Sequence, residues 1–245
     1  MSGSLDATQP VVRRPSRLQL AGEIAFFVTL AIVLKQILTL VVWRYAGPLS
    51  LYVLIAVLTV HLRRRGLSWR SFGLVVLSSL RLKLLVIPQA FLALIAFAAA
   101  VAPILMLGDH YNIAVITTVP DGVEDRFGDV EGDLAMYLLW LGIVWTAAAF
   151  GEEMFFRGYL VTRLSSVFEG APFASVLAIV IAAIIFGCGH MYYQGLRGLI
   201  IAGAIAVAFG SVFLLLKKNL WPIIILHGAI DTATFTVTYL GIEPE

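Results

Sequence analysis

Charge is what this chain is short of. Asp, Glu, Lys and Arg make up only 13% of its 245 residues, 60% are hydrophobic and the mean hydropathy is +0.96. A soluble globular domain carries about 25% charged residues, so that class is excluded, and apolar runs of about twenty residues place the chain among polytopic membrane proteins. Cysteine is nearly missing as well: Cys188 stands alone, cannot form an internal disulfide, and is expected as a small buried apolar residue. Low-complexity tracts, internal repeats and polar segments long enough for a second domain are also lacking. One integral membrane domain over residues 21–245, behind a polar, disordered cytoplasmic tail at 1–20, is the economical division.

The apolar runs predict an all-α protein of about seven transmembrane helices. The expected spans are 22–43 with Lys35 inside it, 48–62, 84–107, 134–164, 173–190, 195–216 and 220–240. Lys35 is expected to snorkel or to pair inside the bundle. Arg13, Arg14 and Arg17 precede the first span. Arg63, Arg64, Arg65 and Arg70 fill the next basic loop, and Lys217 with Lys218 ends the sixth span. By the positive-inside rule this arrangement puts the N-terminus in the cytoplasm, with a bacterial plasma membrane as the expected location. Trp69 and Phe72 within the basic loop suggest an interfacial segment attracted to anionic lipid, and no nucleic-acid partner is expected. The loop 108–133 carries seven acids against one base, Arg126. Its spacing does not fit a calcium loop, so it reads as a solvated external surface.

Three polar sites interrupt the apolar sequence. The first is Gly151-Glu152-Glu153-Met154-Phe155-Phe156-Arg157. Three charges inside a span each cost about 2.5–3.5 kcal/mol on insertion scales, so they need partners or a function. Glu153 and Arg157, four apart, can pair on one helical face, while Glu152 is turned away by about 100° and left free to project into a cavity. Phe186-Gly187-Cys188-Gly189-His190 sets an aromatic ring and an imidazole on one face, with glycines that admit a neighbouring backbone. His227-Gly228-Ala229-Ile230-Asp231 repeats the four-residue spacing. Two imidazoles and two carboxylates brought together could hold a divalent metal and deprotonate water. Without metal, a glutamate could activate water while histidines stabilise an oxyanion. Both remain open from sequence.

Glu152-Glu153-x-x-x-Arg157, Phe186-x-x-x-His190 and His227-x-x-x-Asp231, in this order on successive apolar segments, resemble the three signature motifs of the CPBP family. That family holds the type II CAAX prenyl endopeptidases and similar bacterial proteins, including bacteriocin-immunity and abortive-infection relatives. The resemblance covers a core at 134–240 and implies an intramembrane endopeptidase fold of helices around a polar cavity. It implies Glu152 as the water-activating base, His190 and His227 completing the catalytic set with Glu153, and Arg157, Phe186 and Asp231 supporting it. It also implies a divalent metal, zinc being the expected one, on Glu152, His190, His227 and Asp231. Where many relatives carry Asn, this chain has Asp231, whose added negative charge favours a metal over a bare oxyanion hole. The implied substrate is a peptide or protein segment at the membrane. The rival reading is a non-catalytic scaffold or immunity protein of the same fold. A proton-coupled transporter is a distant third, because inverted repeats are not evident. Counting along the spans puts Glu152 and His227 toward the cytoplasmic ends of theirs and His190 toward the outer end of the fifth, so the three meet only if one helix sits deeper than hydropathy suggests.

Overall fold

The computed structural model describes residues 15–242, and Arg13 and Arg14 of the expected tail and the acids Glu243 and Glu245 lie outside the described residues. Regular structure is helical throughout the described residues, with α1 (Arg17–Val42), α2 (Ala46–Arg64), α3 (Leu80–His110), the short α4 (Ala114–Thr117) and α5 (Asp121–Phe127), and α6 (Leu134–Ile143). A π-helical segment (Val144–Val161) continues α6 and runs into α7 (Thr162–Val167), and α8 (Ala174–Leu215) and α9 (Trp221–Tyr239) complete the chain. Helix α1 takes in the last four residues of the expected tail. Ser16 starts it through a capping box with Gln19, its hydroxyl accepting from the Gln19 amide at 3.2 Å while the Gln19 side chain accepts from the Ser16 amide at 2.9 Å.

Four stretches among the described residues are long and apolar enough to cross a membrane: Arg17–Arg64, Leu80–His110, Leu134–Val167 and Ala174–Leu215. The chain is therefore an all-helical integral membrane protein, but these four do not establish the expected count of seven. Two of the stretches fold back on themselves. In the first, the 3-10 turn Trp43–Tyr45 lets α2 return along α1, so that His61 Nε2 reaches Glu23 Oε2 at 3.2 Å. In the second, Gly195 takes a left-handed φ of 54° and the chain reverses within α8. The two arms of α8 pack closely through small residues: a Cβ on Gly187 would lie 2.6 Å from the Leu199 carbonyl oxygen. Helix α9 is less apolar than these four stretches because His227, Asp231 and four threonines dilute it.

The stretch Leu134–Val167 is 34 residues long, three more than the expected span, and Glu152 lies near its middle. Eighteen of those residues are π-helical where an α-helix is expected. Such helices are rare beyond a single turn and gather at functional sites. The long stretch packs against α2, α8 and α9, and its buried residues Phe155, Tyr159 and Leu160 join Phe27, Leu54, Leu58, Phe209 and Phe213 in the main core. Glu23, only 8% exposed, ties three elements together, accepting from Tyr159 at 3.0 Å and pairing with His61, Arg65 and Arg163. Cys188 is exposed, against expectation, because its side of α8 faces away from the second arm.

Candidate active site

The helices enclose a cavity of about 620 Å³ lined by Glu152, Phe186, His190, His227 and Asp231 together with Lys35 and Arg126. That volume is in the range of small-ligand sites. The π segment supplies Glu152, the first arm of α8 supplies Phe186 and His190, and α9 supplies His227 and Asp231. Glu152, His190 and His227 line this one cavity although they are counted at different positions along their spans, and part of its wall is the loop between α3 and α6. Its short helices cover the α8 reversal: Arg197 Nε donates to the Ile116 carbonyl at 2.9 Å, and a Cβ on Gly122 would lie 2.6 Å from the Tyr193 carbonyl oxygen. The reversal is thus roofed by protein, and His190, five residues before it, faces the cavity rather than the surface.

The two adjacent glutamates are held differently. Glu153 is fully buried, and its Oε1 accepts from Arg157 Nη1 at 2.9 Å and from His227 Nδ1 at 2.8 Å. The Arg157 guanidinium lies between the Phe186 ring, 4.7 Å away, and the Phe209 ring, 5.3 Å away. Glu152 lines the cavity and, among the described residues, has neither a hydrogen bond nor an ion pair. Four-residue spacing thus found the Glu153–Arg157 pair, and the free second glutamate is where the π turn points it.

The imidazole tautomers follow from their partners. A carbonyl only accepts, so His190 Nδ1, 2.9 Å from the Phe186 carbonyl oxygen, carries a proton and leaves Nε2 as an acceptor. Phe186 itself packs on the His190 ring at 4.5 Å between centroids. His227 donates from Nδ1 to Glu153, and its Nε2 stands 3.5 Å from Asp231 Oδ2, an ion-pair separation at the limit of a hydrogen bond. Both His227 nitrogens are therefore directed at carboxylates. Among the described residues no three His, Cys, Asp or Glu side chains gather into a metal-ligating group. As placed, Glu152, His190, His227 and Asp231 do not fit a metal.

Two cations complete the wall, and neither was weighed as part of the site from sequence. Lys35 donates to the Gly189 carbonyl and lies 3.6 Å over the Tyr192 ring, so it pairs inside the bundle instead of snorkelling. Arg126, the one base of the acidic loop, turns inward until only 6% of it is exposed. It sits among the rings of Phe127, Trp140, Tyr192 and Tyr193, 4.6–5.6 Å away. Burial lowers its pKa, opposed by Tyr193 and Glu152 nearby. A lone base among seven acids was the available signal. Arg126→Ala is expected to weaken the seating of α5 by about 2 kcal/mol, a desolvated cation–π contribution. That should raise cleavage at Glu124 and Glu131 by a glutamate-specific protease roughly thirtyfold, and an unchanged rate would show that the rings do not hold the loop.

Residues 134–233 match the family model of type II CAAX prenyl endopeptidase Rce1-like proteins. The matched segment contains the Glu152, Glu153 and Arg157 set, Phe186 with His190, and His227 with Asp231, consistent with the CPBP resemblance. The match takes in less than half of the chain, so Lys35, Arg126 and the α1–α2 hairpin lie outside it. The matched family is a protease family. No curated protein and no solved structure matches the chain.

Proposed function

We propose that this protein is an intramembrane endopeptidase that hydrolyses a peptide bond of a membrane-proximal peptide or protein, with Glu152 activating the water. The observation that carries the proposal is the contrast between the two glutamates: Glu153 is bound to Arg157 and His227, while Glu152 lines the cavity with no partner among the described residues. An unpaired carboxylate lining the same cavity as His190, whose Nε2 can accept a hydrogen from water, is suited to general-base chemistry. In the proposed reaction Glu152 takes a proton from water as the oxygen bonds to the peptide carbonyl carbon. The carbon–nitrogen bond then breaks, and the proton passes to the leaving amine. Glu153 holds His227 in orientation, and Lys35 and Arg126 supply positive potential toward the developing oxyanion. No step is routed through a metal. The basic end of the bundle, with Arg63, Arg70, Lys217 and Lys218, is proposed to face the cytoplasm of a bacterium.

The test is hydrolysis of membrane-anchored peptides by the reconstituted protein in ¹⁸O-labelled water. Cleavage with one labelled oxygen in the new carboxyl group is expected. Intact peptides with a folded protein would favour the non-catalytic scaffold instead.

A further inference from the structure

A second recess lies apart from the cavity, at the basic end of the bundle. Its volume is about 610 Å³, and it is walled by Leu62, Trp69, Leu74 and Trp221. Arg63, Arg70 and Lys83 stand among the lining residues, and no acidic side chain does.

The walls are fixed by the fold. Gly73 takes φ +100°, and a Cβ there would lie 2.4 Å from the Lys218 carbonyl oxygen, so the connection between α2 and α3 is pressed against the turn before α9. The Leu220 amide donates to the Gly73 carbonyl at 3.0 Å. Both indole N–H groups are used internally, Trp69 donating to Thr59 Oγ1 at 2.9 Å and Trp221 to the Val75 carbonyl at 2.8 Å. What the indoles offer outward is apolar face.

We propose that this groove binds an anionic phospholipid, with an acyl chain against Leu62, Trp69, Leu74 and Trp221 and the phosphate held by Arg63, Arg70 and Lys83. Charge complementarity selects this occupant. Three cations with no counter-carboxylate suit an anionic head group, and the apolar walls beneath them suit hydrocarbon. The site is independent of the hydrolytic reading of the cavity.

The test is native mass spectrometry of the full chain in detergent, with phosphatidylglycerol competing against phosphatidylcholine of the same acyl composition. The wild type is expected to retain phosphatidylglycerol preferentially. The triple variant Arg63→Gln, Arg70→Gln, Lys83→Gln should lose that preference by on the order of a hundredfold, about fivefold per charge. The charge-conserving variant Arg63→Lys, Arg70→Lys, Lys83→Arg should keep it. Changing Arg64 and Arg81, which do not line the groove, to Gln should also leave it intact. Equal retention of the two lipids by the wild type, or an undiminished preference in the triple variant, would overturn the proposal. So would an equal loss on changing Arg64 and Arg81, since the attraction would then belong to the basic surface as a whole.

Discussion

Glu152→Gln is expected to lower peptide hydrolysis by about 10²–10⁴-fold, the usual contribution of a positioned general base, without lowering thermal stability. The physical reason lies in its surroundings. Glu152 lines the cavity and has no hydrogen-bonded or ion-paired partner among the described residues, so the amide breaks no direct contact. Glu153→Gln should behave differently. Its carboxylate receives both Arg157 Nη1 and His227 Nδ1, so neutralising it weakens the fold and loosens His227 together. Rates from a fluorogenic membrane peptide, read beside unfolding curves of the same preparations, separate the two roles. A Glu152→Gln protein that keeps its full rate would remove Glu152 from the chemistry.

Arg157→Leu is expected to destabilise the protein by about 3–5 kcal/mol, the cost of leaving one partner of a buried ion pair without the other. Glu153 is 0% exposed and would be left with His227 as its remaining partner. Because the loss is mainly an uncompensated charge, the double variant Glu153→Leu, Arg157→Leu should be less destabilised than Arg157→Leu alone. Unfolding in micelles followed by tryptophan fluorescence measures both. A single variant as stable as the wild type would mean that the pair does not hold the π segment in place.

Local spacing carried much of the site. Four-residue intervals predicted that Glu153 meets Arg157, that Phe186 lies beside His190 and that His227 shares a face with Asp231. Each follows from the geometry of one helix, and the structure has each pair in contact. Contacts between distant segments were not legible in the same way. The bond from His227 to Glu153 joins residues 74 apart, and Glu23 collects Tyr159 and Arg163 from more than 130 positions away. Nothing in a one-dimensional pattern sets those meetings.

Hydropathy also gives no view of how the loops close over the site. It sees apolar length but not that α4 and α5 pack over the reversal at Gly195. The same loop hid Arg126, whose charge reads as surface until the four rings around it are seen. The π winding also escaped detection, since its apolar pattern is close to that of an α-helix.

The central claim is that Glu152, His190 and His227 share one water-accessible chamber within the membrane. Single cysteines at 152, 190 and 227, each in a Cys188→Ala background that removes the one exposed native thiol, can be exposed in proteoliposomes to a charged, membrane-impermeant thiol reagent. Labelling of all three, with a bound substrate peptide shielding all three together, is the result predicted. Labelling from opposite sides of the membrane, or a thiol that stays untouched while the others react, would contradict it.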